Sequence, residues 1–445
     1  MFLTQSLILT APHFTTKSTI HLSKNSNFAK NEQYMTALAS VMNRHAVALA
    51  ADSAVTISNQ YGHKVINSAN KLFTISKRHP VGVMFCGNCN FNDTPWEVVV
   101  KLYRDNLKDK SFSTVKDYRN DFLKYLVDKH FFNGEKNQKI RMNIEMLKFS
   151  SIIHNITNEA IKGDKAKYNA EFLNQLQIII NDKAETCEGL SKFKEKDFND
   201  YCNDLYLSFF AQNAALFPTD KDKIFFKTAF ANFVRKFNSN IEKSQLIFVG
   251  FGEDEIYPAL SAVDIYFGFN NMLRFHPYLE QAVTDDNNAG IARFGQTDVI
   301  NTIINGINPY IRNSVSDIFH EFADNLKTVF SRATKDAPTK AAIDAIDTNH
   351  LADTFDARLN LIIQDNFTSP LIGSIDSLDK EDMAELVESM VSLTHLNRRI
   401  TTSEEGVGGP IDVAIISKGD GFIWKKRKHC FDPKLNPSFF ENYYK

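Results

Sequence analysis

A hydroxyl at Thr36, a carboxylate at Asp52 and an amine at Lys71 have side-chain types and spacing that can do chemistry together. A threonine hydroxyl is a weak nucleophile at its own pKa and needs an adjacent base. An α-amine, with a pKa of about 8, serves as that base when the threonine is the first residue of its chain. Lys71 would then hold positive charge beside the hydroxyl and the amine, favouring their deprotonated forms. Asp52 would fix Lys71 by a buried, charge-assisted hydrogen bond. Singly, each residue has a plainer role: a strand-start threonine, a turn-forming aspartate, a solvated lysine. Together they fit nucleophilic attack on an amide carbonyl.

The elements that must position them are strands. Residues 38–42 and 46–51 read as two β segments joined by a tight turn at Asn43-Arg44-His45. The second segment ends on Asp52, and Lys71 opens the next apolar stretch, Leu72-Phe73. Continuous small and apolar runs at 46–51 and 81–86 suit strands buried on both faces. Asn92-Asp93-Thr94-Pro95-Trp96-Glu97 predicts a helix start with a proline and an acidic residue in the first turn. Residues 111–244 read as almost entirely helical. Strands return at 245–250 and 259–269, and Gly295-Gln296-Thr297-Asp298 opens another helix. A helical block covers 309–368, an amphipathic helix covers 379–398, and residues 411–424 form a closing hairpin. Strands, helices, strands, helices, strands is the order of a layered sandwich with helical inserts.

At 445 residues, with 43% hydrophobic residues and 37 Phe, the chain can bury a large core. A net charge of −2 gives no global field favouring nucleic acid or an anionic membrane, and neither is an expected partner. Five cysteines do not make a disulfide framework in a chain this long, which fits a reducing, cytoplasmic compartment. No apolar run reaches spanning length. Residues 1–35 are rich in Ser, Thr, Asn and Lys, and no basic residue precedes their short apolar patch. They read as a removed propeptide or as the product of an upstream start, with initiation at Met35 exposing Thr36. Two further motifs have bland readings beside functional ones. Cys86-Gly-Asn-Cys89 is a redox or metal motif in some settings, but no second pair completes a zinc site, so packing around Gly87 is expected. Lys425-Lys-Arg-Lys-His429 reads as a solvated strand end. No cofactor or metal is expected.

The stretch from Thr36 to Thr56 resembles the opening of proteasome β-subunits and of the bacterial proteasome-like peptidase, members of the N-terminal-nucleophile (Ntn) hydrolases. Asp52 lies sixteen residues after Thr36, within Ala50-Ala51-Asp52-Ser53. Asn70-Lys71-Leu72-Phe73 resembles the family's lysine-bearing strand. Cys86-Gly87 resembles the strand end whose glycine N–H forms the oxyanion hole. Gly295-Gln296-Thr297 and Gly408-Gly409 resemble later turns of the family. The chain departs from the pattern at Phe294 and Val407, where the family has serines, and at Glu404, where it has an aspartate; Met35 replaces the usual preceding glycine.

The resemblance implies an α+β, four-layer αββα Ntn sandwich over residues 36–445, with helical insertions at 108–243 and 297–378. It implies a threonine peptidase acting on peptides or proteins. Thr36 would be the nucleophile, Asp52 and Lys71 its tuning pair, Gly87 the oxyanion donor and Glu404 a support. It also implies a homo-oligomer, with the insertions open to a partner protein. Two alternatives stand beside it, a non-catalytic proteasome-like scaffold and a small-molecule amidase of the same class.

Overall fold

A computed structural model describes residues 36–59, 62–129, 131–132, 134–237, 242–401, 407–429, 431–438 and 441. Residues 1–35 and Glu404 lie outside them. The strands are β1 (Ala37–Asn43), β2 (Val47–Ala51), β3 (Val55–Asn59), β4 (Gly62–Ile66), β5 (Leu72–Thr74), β6 (Val81–Gly87), β7 (Asn90–Phe91) and β8 (Thr94–Pro95). They continue with β9 (Ser244–Gly250), β10 (Ala259–Ile265), β11 (Phe275–Ala282), β12 (Ala289–Gly295), β13 (Asp412–Ser417) and β14 (Gly421–Lys426). Two five-stranded sheets dominate, with orders β12-β1-β2-β13-β14 and β11-β10-β9-β6-β5, and every neighbouring pair is antiparallel. The fold is mixed α/β on antiparallel sheets.

The period of two along each strand decides what each sheet face meets. From the first sheet, Leu38, Met42, Val47 and Leu49 share a cluster with Met84, Cys86, Ile247 and Val249 of the second, so the two sheets pack face to face. The alternate residues Ala39, Val41, Ala48 and Ala50 turn the other way, onto helices α8 (Asp298–Asn305), α12 (Ser369–Asp376) and α13 (Lys380–Ile400). Alanines on that face let α13 lie close, and its Met383, Val387, Met390 and Val391 recur at helical spacing to meet them. On the second sheet Val81, Val83, Phe85, Leu246 and Phe248 face away from the first. They pack on α1 (Trp96–Leu107) and α2 (Val115–Asp128).

The long helical stretches divide by packing. In the first, α2 shares the cluster of the second sheet, whereas α3 (Gly134–Ile161), α4 (Tyr168–Asn181), α5 (Glu195–Tyr201), α6 (Asn203–Gln212) and α7 (Asp220–Arg235) enclose a core of their own. That core is dense in phenylalanine; Phe149, Phe226, Phe230 and Phe233 stack within it, and Tyr266, Phe267 and Phe269 enter it just past β10. Each buried phenylalanine contributes roughly 1.5–3 kcal/mol, so the block carries a substantial core. In the second stretch, α8 and α12 lie on the first sheet. There α9 (Pro309–Ala333), α10 (Ala337–Asp344) and α11 (Thr348–Ile363) stay largely exposed.

Two expectations change. The helix expected to start within 92–97 does so, at Trp96 with Glu97 in its first turn, but Pro95 stands at its cap and the residues before it form the β7–β8 hairpin, where Asn92 and Asp93 take left-handed backbone (φ 44° and 68°). Asn-Asp tolerates that conformation in a two-residue turn, which explains the preference for turn over cap. The strand expected to run from 259 to 269 ends at Ile265, because the aromatics beyond it serve the helical core.

Candidate active site

Thr36 is the residue before β1, and backbone pairing fixes it on both sides. The N–H of Asp52 donates to the Ala37 carbonyl at 3.2 Å, and the N–H of Gln296 donates to the Thr36 carbonyl at 2.7 Å. The second contact needs Gly295. It pairs with Ala37 at φ +77°, and a Cβ there would fall 2.0 Å from the Thr36 oxygen. Asp52 follows β2, whose apolar run carries it into the interior until it is fully buried.

The Asp52 carboxylate is saturated. Oδ1 accepts from the Ala37 N–H at 3.1 Å and from Lys71 Nζ at 2.7 Å; Oδ2 accepts from the N–H groups of Ala54 and Gly408, each at 3.3 Å. Lys71 is 1% exposed and spends all three ammonium hydrogens: on Asp52, on Thr36 Oγ1 at 2.7 Å, and on the Ala54 carbonyl. A buried charge of this kind is tolerable only when paired and fully hydrogen-bonded, and both conditions hold. Thr36 itself is 6% exposed, so its hydroxyl meets a fixed cation in a dry setting.

The neighbouring turns are tied to the same point. Ser53 N–H donates to Gly408 O at 3.1 Å, its hydroxyl donates to Pro410 O, and Ala69 N–H donates to Ser53 O at 3.1 Å. Gly87 ends β6 with φ +84°, two residues after Phe85, whose N–H donates to the Lys71 carbonyl at 3.0 Å. The structure thus brings Thr36 and Asp52 each into direct contact with Lys71 and puts Gly87 on the adjoining strand. Glu404 is outside the described residues. Phe294 is buried between the sheets near Tyr278, and Val407 is buried in the cluster under α13.

Two residues not singled out from the sequence, Arg398 and His395, join the site, together with Gln296, which was expected only as part of a turn. Arg398 Nε donates to Gln296 Oε1 at 2.5 Å and its guanidinium also pairs with Asp298, so it clamps the turn whose N–H holds Thr36. Gln296 is the link between them. His395, on the same helix, is half-buried, and burial holds its pKa below the ordinary value. Asp52 pulls that pKa up, while Lys71 and Arg399 push it down, so the ring lies within electrostatic reach of the ion pair. The signal was the α13 period itself, since Val387, Val391, Thr394 and Arg398 mark the face turned inward.

The two other motifs find structural roles. Cys86 lies in the inter-sheet core, and burial, then the Asp264 charge, push its thiol up to about 12. Burial also raises Cys89. A thiol shifted that way is a poor nucleophile. Asp264 forms a second buried ion pair with Lys243 at 2.5 Å and accepts from Gln245 Nε2 at 2.8 Å. In the basic run, Lys425 and Lys426 pair with Glu381 and Glu388 of α13, and Lys428 pairs with Asp412. Among the described residues no helix is long and apolar enough to cross a membrane.

No family model matches the chain, and no curated protein matches it. Solved structures similar to it include a Gly-1 mutant of Anbu from Hyphomicrobium sp. strain MC1, at 10% identity. Another is Anbu from Yersinia bercovieri, described as an ancestral β-subunit, at 8% identity. In each case the match covers 92% of this chain and 94% of the other, with a TM-score of 0.29.

Proposed function

We propose that the chain is a four-layer αββα Ntn hydrolase that cleaves amide bonds in peptides through Thr36, exposed as the first residue by removal of residues 1–35 or by initiation at Met35. One observation carries the reading: Lys71 Nζ stands 2.7 Å from both Thr36 Oγ1 and Asp52 Oδ1, all three buried.

In the forward step the Thr36 amine takes the hydroxyl proton while Oγ bonds to the substrate carbonyl carbon. The carbonyl electron pair moves onto oxygen, where the Gly87 N–H stabilises it. Collapse breaks the C–N bond, and the proton carried by the Thr36 amine goes to the departing amine. An ester remains on Thr36. Water, deprotonated by the same amine, then attacks the ester; collapse breaks the C–Oγ bond, the amine returns its proton to Oγ, and the acid leaves with the Thr36 hydroxyl and amine restored. Lys71 moves no proton in this scheme: its fixed charge favours the oxyanionic form of Oγ, and Asp52 keeps the charge in place. Glu404, the insertions at 108–243 and 297–378, and a homo-oligomeric, cytoplasmic enzyme complete the proposal.

A second reading, a non-catalytic scaffold, is favoured by Phe294 and Val407. Both are buried apolar side chains where the resembled family has serines. The two readings separate on peptide hydrolysis by the protein from its own host, with Thr36→Ala and Thr36→Ser beside it. The proposal requires hydrolysis that Thr36→Ala abolishes and Thr36→Ser retains in part. Hydrolysis that survives Thr36→Ala refutes it, and so does the absence of hydrolysis from a chain shown to begin at Thr36.

A further inference from the structure

Helix α9 packs against α11 and, through Lys327 and Asp324, against the turn between α10 and α11. Phe319 stacks on Phe355 at 4.2 Å, Ser316 donates to Asp356 at 2.7 Å, and Arg312 reaches Asn360 at 2.9 Å. A neighbouring face of α9, turned roughly 90° from that contact, carries Ile311, Val315, Ile318, Phe322, Leu326 and Val329, each between 37% and 64% exposed. At about 100° per residue these six fall within a stripe roughly 80° wide and about 27 Å long. A soluble helix that has already buried one face does not need a second apolar one, so this stripe needs an occupant.

The order of the stripe is self-complementary and fits a second copy of the same helix. Its spacing is symmetrical about Phe322: Ile318 and Leu326 lie four residues to either side, and Val315 and Val329 seven. Ile311 lies eleven residues before Phe322, and the small Ala333 eleven after it. An isologous interface pairs residue i with j and j with i, and two antiparallel copies of α9 crossing at Phe322 satisfy that with apolar contacts along the whole length. The apolar side chains leave on the order of 500 Å² outside. With Phe330 and the flanking polar groups, the surface approaches the ~800 Å² per partner of a standard interface. We propose that α9 is a two-fold dimerisation helix, its occupant the α9 of a second copy of this chain. The inference does not rest on Thr36 being active.

Self-crosslinking and mass test it. Phe322→Cys places a thiol on the axis, so oxidation should link two copies through this position. Ile318→Cys, whose mate is Leu326, should link to itself far more slowly but should cross with a Leu326→Cys copy. Phe322→Asp should halve the mass seen by sedimentation and raise the dimer Kd by about 30-fold or more, as for an aromatic at the centre of an interface. Phe322→Leu should keep the dimer. Because Phe322 faces outward, circular dichroism should be unchanged in each variant. A mass indifferent to Phe322→Asp overturns the proposal, as does self-linking at 318 that matches that at 322.

Discussion

Replacing Lys71 by Met removes the ammonium while keeping most of the side-chain volume, and it leaves Asp52 charged and fully buried. Removing one partner of a buried pair costs about 3–5 kcal/mol, because the other charge loses its compensation. Here the Asp52 carboxylate keeps three backbone N–H donors, from Ala37, Ala54 and Gly408. That residual support puts the expected loss at the lower end, about 3 kcal/mol. Unfolding entropy of about 2.1 cal/mol/K per residue, scaled to this chain, turns that loss into a Tm drop of about 3 °C if the chain unfolds as one unit. Adding Asp52→Asn removes the stranded charge; its single amide oxygen can still accept from Ala54 and Gly408, while its NH2 meets the Ala37 N–H without an acceptor. The double variant should therefore regain part of the loss, although Asp52→Asn alone destabilises. Thermal and urea unfolding of the four proteins closes the cycle. A single-variant cost below about 1 kcal/mol, or a double variant no more stable than Lys71→Met, would refute the claim that the buried charges depend on each other.

Gly295→Ala should destabilise by about 1–3 kcal/mol and sharply lower turnover, because a Cβ meets the Thr36 carbonyl in a left-handed conformation; urea unfolding and peptide hydrolysis read the two effects. Arg398→Ala should reduce kcat about tenfold with little change in KM, since it frees the turn that positions Thr36 rather than a substrate contact; steady-state kinetics decide it. Cys86→Ala and Cys89→Ala should leave hydrolysis intact, and iodoacetamide at neutral pH should leave Cys86 unmodified in the folded chain, as peptide mass spectrometry would show. His395 has a folded pKa below its unfolded value, so the unfolded chain binds its proton first. Its contribution is present above about pH 6.5 and is lost as pH falls through the folded pKa. Against His395→Gln, the wild type should therefore lose more stability on acidification below about pH 6.5; parallel unfolding curves at pH 7.5 and 5 check the sign.

The strands that support the site were legible because they are buried on both faces. The runs at 46–51 and 81–86 appear as β2 and β6, and the turn at Asn43-Arg44-His45 joins an antiparallel β1–β2 pair. The strands β11 and β12 were not. Residues Phe275–Ala282 form a half-exposed edge strand, with Pro277 beside a register shift, so neither alternation nor an apolar run marks them. In β12 the charged Arg293 interrupts the pattern. That Thr36, Asp52 and Lys71 converge was legible because they lie within one local stretch whose strand ends fix their directions. Gln296 and Arg398 come to the same place through sheet pairing and the docking of α13, contacts that span hundreds of residues. Local spacing marks the inward face of α13 but not the turn that Arg398 meets there.

The most direct test of the central claim is the N-terminus of the protein made in its own host, read by intact mass and N-terminal sequencing after treatment with an electrophile that reacts with a hydroxyl nucleophile. A chain beginning at Thr36 and carrying one adduct on that residue is the expected result. A chain in which Thr36 remains internal and unmodified, in a preparation that still hydrolyses peptides, would contradict it.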